Sequence, residues 1–177
     1  MQLFKKNKKL YLYLILFLPC ALYANLTLEV IDIDLEKNAS IDYRIDGHFD
    51  NNLKKIIEKG IHIQIDQKIE ILKKRKFLFD KKLGEKISNY SIEYHPLIKK
   101  YILRVGQQEI RFNDLDSIIL EFKKLKNVEI NFDQSNAPEE KYLYFSWTVN
   151  KKKLPKSFQV NIFRNHWETL IEKKINI

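Results

Sequence analysis

The strongest constraint on the fold is an alternation of apolar and polar side chains with a period of two residues, which runs through residues 142–149. Successive side chains of a β-strand point to opposite faces, so this pattern predicts a strand with one face turned to a core. The core face would carry Leu143, Phe145, Trp147 and Val149. A basic turn, Lys151–Lys153, follows, and the alternation resumes in residues 154–160. The second run predicts another strand, with Pro155 at its start or on a sheet edge, where the missing N–H costs no hydrogen bond.

The same period recurs along most of the chain and predicts an antiparallel meander. The clearest run is residues 61–71, where isoleucines alternate with polar residues. A change of phase predicts a bulge near Val30. Phe77 and Phe79 follow a run of basic residues, and we expect them to return to the core. Further strands are predicted at residues 26–35, 41–45, 90–94, 101–105, 109–112 and 128–132.

Two short helices interrupt the strands. Asp50 can cap a helix from Asn51 to Lys59, and Asn113 can cap a second helix from Asp114 to Lys126. Apolar residues recur in both segments at helical spacing. The sequence therefore predicts an α+β fold, mostly an antiparallel β-sandwich or a strongly bent sheet with two short helices.

Residues 1–24 have the features of a signal peptide. Four lysines precede an apolar run, Leu10–Leu18, and the small residue Ala24 stands at a plausible cleavage point. An uncleaved membrane anchor is the alternative. Cleavage would leave residues 25–177 as a single periplasmic domain without Cys20, the only cysteine, and would lower the formal net charge from +9 to +5 because the four lysines leave.

Residues 154–161 form the block Leu-Pro-Lys-Ser-Phe-Gln-Val-Asn, and the chain also carries Tyr94, His95, Leu97, Tyr101, residues 112–115 and Trp167. With this block as the most specific part, the chain resembles the domain of unknown function 4390 family of exported proteobacterial proteins from about Leu26 to Trp167. This chain departs from the expected pattern at Val128, Phe77 and Phe79, in place of tryptophans, and at Ile98, in place of threonine. The resemblance implies a periplasmic protein without assigned activity, whose gene neighbourhood includes a membrane sensor kinase of the nitrogen-regulation type.

The residues give little support to catalysis or cofactor binding. The expected mature chain has no cysteine, and its serines lack the glycine-flanked setting of an activated nucleophile. The four glycines are isolated, which excludes a glycine-rich phosphate loop. The four histidines lie far apart, at positions 48, 62, 95 and 166. We therefore expect no enzyme activity, no metal and no cofactor, and an exported chain is not expected to bind nucleic acid.

Two functional hypotheses remain open. The favoured one is a periplasmic interaction or sensing-accessory module, linked through the family resemblance to a membrane sensor kinase. Its candidate contact residues are Tyr142, Tyr144, Lys156, Gln159, Trp167 and His95. The alternative is a binder of lipid or another envelope component, in a hydrophobic space behind Trp147 between sheet and helix. The rim of that space would be Lys99, Lys100, Lys151 and Lys152.

Overall fold

A computed structural model describes residues 26–35, 38–132, 140–159 and 169–177. The expected signal peptide and Trp167 lie outside these ranges. The elements in chain order are β1 (Leu26–Asp34), β2 (Ala39–Gly47), α1 (Asn51–Glu58), β3 (Ile63–Lys73), β4 (Lys81–His95), β5 (Lys100–Val105), β6 (Gln108–Phe112), α2 (Leu115–Lys123), β7 (Lys126–Ile130), β8 (Lys141–Val149), a 3-10 turn (Lys151–Lys153) and β9 (Thr169–Asn176).

The strands form two antiparallel sheets. The small sheet has the order β1-β2-β7, and the large sheet has the order β6-β5-β4-β3-β8-β9. The predicted α+β class with mostly antiparallel strands is confirmed. The two sheets face each other, since the Tyr43 ring of β2 lies 5.4 Å from the Phe145 ring of β8, centroid to centroid. Buried apolar residues from both sheets and both helices form one cluster between them.

Gly84 marks a close approach between the two sheets. A Cβ atom at this position of β4 would lie 2.6 Å from the carbonyl oxygen of Asn131 and 2.7 Å from Cβ of Phe132, just after β7. Only a residue without a side chain fits such a separation. The hydrogen of Gly84 therefore lets the end of the small sheet pack directly on β4.

The periodicity predicted β3 and β8 well, whereas of β4, which spans Lys81–His95, it predicted only residues 90–94. In β8 the residues Leu143, Phe145, Trp147 and Val149 are all buried. The bulge expected near Val30 lies between Val30 and Asp32, where the pairing of β1 with β2 shifts register. A tight turn at Gly106, with a positive φ of 59° at this glycine, joins β5 to β6.

Both helices are present, with one cap reassigned. The Asp50 carboxylate accepts hydrogen bonds from the backbone amides of Asn52 and Leu53, at 2.8 and 3.4 Å, as a capping residue should. For α2 the predicted cap Asn113 is wrong, because Asp114 accepts the bond from the Ser117 amide at 2.7 Å. This helix also ends at Lys123 rather than Lys126, since Lys126 already pairs with β2.

The strand predicted at residues 154–160 is wrong. Residues 156–159 form a helical turn, in which the Pro155 carbonyl accepts hydrogen bonds from the amides of Phe158 and Gln159 at 2.9 and 3.3 Å. Proline at the start of a turn favours helix, because its fixed φ suits the first helical position. The place beside β8 is taken by β9, near the end of the chain.

The expected return of Phe77 and Phe79 to the core is also wrong. They are 96% and 98% exposed, in the loop between β3 and β4. The last paired residues of this hairpin are Lys73 and Lys81, so the two phenylalanines lie beyond the end of the ladder. Hydrophobicity alone could not bury them, because the packed interior does not extend past this edge.

Candidate functional site

One polar side chain is buried at the centre of the large sheet. The alternation of β3 places residues 63, 65, 69 and 71 on the core face with isoleucine at each, and the same face holds Gln67. This glutamine has no exposed surface. A buried amide must find hydrogen-bond partners, or it costs the fold its full desolvation penalty.

Three aromatic side chains supply those partners. The Gln67 Oε1 atom accepts from Trp147 Nε1 at 2.8 Å and from the Tyr90 hydroxyl at 3.2 Å. The Gln67 Nε2 atom donates to the Tyr43 hydroxyl oxygen at 2.9 Å. We call Gln67, Tyr43, Tyr90 and Trp147 the buried polar cluster. It connects β2 of the small sheet to β3, β4 and β8 of the large sheet.

The surroundings of the buried polar cluster keep its hydroxyls neutral. Burial, followed by the proximity of Tyr90, raises the pKa of the Tyr43 hydroxyl well above its usual range. Burial likewise raises the pKa of the Tyr90 hydroxyl. Both groups therefore remain protonated hydrogen-bond donors at ordinary pH. We infer that the two hydroxyls have a structural role, because they orient neighbouring side chains and stay uncharged.

The space behind Trp147 is occupied by protein. The Phe122 ring of α2 lies 4.9 Å from the Trp147 ring and the Tyr90 ring lies 5.3 Å from it, centroid to centroid. The lysines expected at the rim stand on different strands: Lys100 on β5, and Lys151 directly after β8. Since β4 and β3 lie between β5 and β8, these two strands are three strand spacings apart, roughly 14 Å.

Two predicted contact residues lie side by side on the outer face of β8. The Tyr142 hydroxyl donates to Asp80 at 2.6 Å, and the Tyr144 hydroxyl donates to Glu172 at 3.1 Å. The Lys174 Nζ atom lies 5.6 and 5.9 Å from the two ring centroids, within cation–π range. These contacts fix two partly exposed rings in one orientation. We call Tyr142 and Tyr144 with Lys174 the tyrosine face.

The charge of Asp80 controls the chemistry of Tyr142. The hydrogen bond to Asp80 raises the pKa of Tyr142 to about 12. The same bond, with a smaller contribution from the Arg75 amide, holds the pKa of Asp80 below its usual range. Asp80 is thus an ionised acceptor and Tyr142 a protonated donor. The hydrogen bond between Asp80 and Tyr142 therefore positions the Tyr142 ring and does not make its hydroxyl a general base.

Asp80 also ties the tyrosine face to the neighbouring loop. Its Oδ1 atom accepts from the Arg75 amide at 3.2 Å, across the loop that joins β3 to β4. At the tip of that loop Phe77, Leu78 and Phe79 are 96%, 69% and 98% exposed. Lys74, at the base, forms an ion pair with Glu140 at 2.9 Å. The tyrosine face and this apolar tip therefore share one end of the large sheet.

The other predicted contact residues are not part of this surface. His95 lies at the opposite end of β4, and its Nδ1 atom is buried without a hydrogen-bond partner among the described residues. Lys156 is exposed on the helical turn after β8. Gln159 donates to the Leu154 carbonyl at 2.8 Å, which stabilises that turn. Trp167 lies outside the described ranges.

Sequence reasoning missed Gln67, Asp80 and the exposed tip. Gln67 had a detectable signal, since it interrupts a row of isoleucines on a predicted core face. Asp80 had no such signal, because its partner Tyr142 lies 62 residues away. Over the described residues we find no group of three or more histidine, cysteine or acidic side chains that could hold a metal ion. In that same part of the chain no helix combines the length and apolarity needed to span a bilayer.

The chain matches a family described as Domain of unknown function (DUF4390) over residues 24–175. It belongs to this family. No match was found among the curated proteins or among the solved structures. The DUF4390 match includes both sheets, so the family assignment applies to the whole fold described above.

In this DUF4390 member the block that begins at Leu154 has a clear structural use. Leu154 is buried, and the turn that follows places Lys156 in solvent. The side-chain Nε2 atom of Gln159 donates to the Leu154 carbonyl and so closes the turn. Lys156 is thus available to solvent, whereas the half-buried Gln159 side chain is used within the turn.

Proposed function

We propose that this protein is a non-enzymatic interaction module of the periplasm, which contacts a protein partner through the tyrosine face. The observation that carries the proposal is the fixed orientation of Tyr142 and Tyr144 by Asp80, Glu172 and Lys174. Tyrosine is enriched in protein interfaces, where its ring is buried and its hydroxyl keeps a polar contact. Rings that are already ordered lose less conformational entropy on binding.

The chemistry of the buried polar cluster and of the tyrosine face favours binding to a partner over catalysis. Tyr43 and Tyr90 are buried donors without access to substrate, and Tyr142 is held protonated by Asp80. A general base needs a pKa near the working pH and a route to the reacting proton. The tyrosines described here lack one or both properties. Their arrangement supports a binding surface.

The partner we propose is a membrane sensor kinase. This choice rests on the gene neighbourhood associated with the family, and the periplasmic location rests on the signal peptide expected at residues 1–24. An exported module could reach the extracytoplasmic part of such a kinase. Binding there would give the module an accessory role in sensing.

Site-specific photo-crosslinking tests this proposal. A photoreactive phenylalanine placed at Tyr144 in living cells should crosslink to the kinase, and Tyr142→Ala in the same chain should weaken the product. Ile31 is the matched control, since it is exposed on β1 of the opposite sheet. Equal crosslinking from positions 144 and 31, or none from position 144, would rule out the tyrosine face as the contact.

The alternative function, carriage of lipid between sheet and helix, has less support. Phe122 and Tyr90 occupy the space around Trp147 that an acyl chain would need. Interiors of this kind are close-packed, so a ligand would have to displace side chains. Native mass spectrometry of the purified protein checks this directly. A bound lipid that survives purification would restore the alternative.

A further inference from the structure

The loop between β3 and β4 ends in three consecutive apolar side chains that point into solvent. Phe77 and Phe79 are almost fully exposed, and Leu78 between them is 69% exposed. Leaving a phenylalanine in water forgoes the free energy that its burial would release. A run of three such residues at one tip is therefore a candidate for burial against something outside the chain.

The base of this loop is held in place. The Asp80 carboxylate accepts hydrogen bonds from the Arg75 amide at 3.2 Å and from the Tyr142 hydroxyl at 2.6 Å. Lys74 bonds to the Glu140 carboxylate at 2.9 Å, and its backbone amide donates to the Glu140 carbonyl at 2.9 Å. These contacts anchor residues on both sides of Phe77–Phe79. The structure thus presents the tip outward.

The tip is surrounded by positive charge. Residues 73–82 contain six lysines and arginines and one acid, Asp80, which gives a formal charge of +5. Two of these bases form ion pairs, Lys74 with Glu140 and Lys82 with Glu85, and Arg75 and Lys76 directly precede the apolar tip. Aromatic and aliphatic side chains flanked by cations are typical of segments that lie in the interface of an anionic bilayer.

A bilayer fits this tip better than a protein does. A stable protein interface buries about 800 Å² on each partner, which three side chains on one loop do not provide. A second copy meeting tip to tip would bring two segments of like charge together. We propose that Phe77–Phe79 is a membrane-docking site that inserts into the surface of a bilayer containing anionic lipid. This proposal does not depend on the protein partner suggested above.

An environment-sensitive fluorophore on the tip tests the proposal. The label is attached to the full chain carrying Leu78→Cys, with Cys20→Ser so that the label has one target. The matched control carries Leu97→Cys and Cys20→Ser, because Leu97 is 90% exposed beside Lys99 and Lys100 at the opposite end of β4. Both chains share residues 1–24, so membrane binding by that apolar segment affects them equally.

With phosphatidylcholine vesicles that contain phosphatidylglycerol, emission at position 78 should shift to the blue and rise several-fold. Emission at position 97 should stay near its value in buffer. High salt or removal of phosphatidylglycerol should abolish most of the response, since each basic residue near an anionic surface strengthens binding about fivefold. Equal responses at both positions, or none at position 78, would overturn the proposal.

Substitution of the phenylalanines provides a second measurement. In the chain labelled at position 78, Phe77→Ser with Phe79→Ser should raise the lipid concentration for half-maximal emission about a hundredfold, about tenfold per ring. Leu97→Ser with Ile98→Ser should leave it unchanged. Both pairs are exposed, so the fold should tolerate them. An unchanged lipid requirement in the phenylalanine variant, or a response that grows with protein concentration before vesicles are added, would refute membrane docking.

Discussion

Replacing Gln67 with leucine tests whether the buried polar cluster stabilises the fold as its geometry indicates. Leucine has a similar volume and would fit the isoleucine row of β3, so the change removes hydrogen bonds with little effect on packing. On hydrophobicity alone the variant should be more stable. On the hydrogen bonds of Gln67 it should be considerably less stable.

The magnitude follows from the partners that lose their acceptor. The Tyr43 hydroxyl, which also donates to Gln67 Oε1 at 3.1 Å, can still donate to the nearby Tyr90 hydroxyl. Trp147 Nε1 and the Tyr90 hydroxyl, which donate to Gln67 at 2.8 and 3.2 Å, would become unsatisfied and stay buried. Each such donor costs about 1–3 kcal/mol. We expect Gln67→Leu to lower the free energy of unfolding by about 4 kcal/mol.

Urea unfolding followed by tryptophan fluorescence measures this change. With an m value of about 2 kcal/mol per M, the midpoint should fall by about 2 M. The control is Gln64→Leu, on the opposite face of the same strand, where the glutamine is partly exposed and donates only to Asp66 among its side-chain contacts described. This substitution should alter the free energy of unfolding by no more than about 0.5 kcal/mol.

Removing the two hydroxyls as well separates hydrogen bonding from packing. In the triple variant Gln67→Leu, Tyr43→Phe, Tyr90→Phe, only the Trp147 N–H would remain without a partner. It should therefore be more stable than Gln67→Leu alone by about 2 kcal/mol, although it contains two more substitutions. A neutral single variant, or a triple variant less stable than the single one, would refute the reasoning.

Three further predictions follow from separate parts of the structure. Gly84→Ala should lower the free energy of unfolding by about 1–3 kcal/mol, because the alanine Cβ would lie 2.6 Å from the Asn131 carbonyl oxygen. Thermal unfolding measures this change, and an unchanged midpoint would contradict the close packing of β4 on the small sheet. The Arg104 guanidinium lies 2.7 Å from the Glu93 carboxylate and lowers the pKa of this carboxyl in the folded protein below its usual 4.5. The ion pair therefore stabilises the fold fully above pH 4.5, and this stabilisation is lost as the pH falls through the folded-state pKa. Urea midpoints measured across this acidic range should fall less steeply for Glu93→Gln than for the parent, and parallel curves would exclude the pair as a cause. Asp80→Asn should bring the pKa of Tyr142 from about 12 back towards 10. An ultraviolet titration of the tyrosines measures this shift, and the Tyr142→Phe variant identifies the contribution of Tyr142 to the curve. An unchanged titration in Asp80→Asn would show that Asp80 does not control this hydroxyl.

Strands β3 and β8 could be predicted because their side-chain pattern is local. In β8 the order of residues alone separates Trp147, which packs inside, from Tyr144, which faces outward. The outer tyrosines were therefore found from the sequence. Their grouping with Asp80 was not, since it depends on a loop 62 residues earlier in the chain.

Local patterns gave wrong answers where tertiary pairing or an edge decided the outcome. Residues 154–160 alternate like a strand, yet the position beside β8 belongs to β9 and Pro155 begins a helical turn. Phe77 and Phe79 have the composition of core residues, but the hairpin carries them past the last paired lysines. In both cases the local sequence does not show which strand or packed surface lies next to the segment in the folded protein.

The buried polar cluster also has a consequence for the kinetics of folding. The partners of Gln67 lie 23, 24 and 80 residues away, on β4, β2 and β8. Contacts between such distant segments require large loops to close first, and they form slowly. We therefore expect this cluster to assemble after the transition state, so that its loss accelerates unfolding and hardly slows refolding. Gln67 would then act mainly on the lifetime of the folded protein.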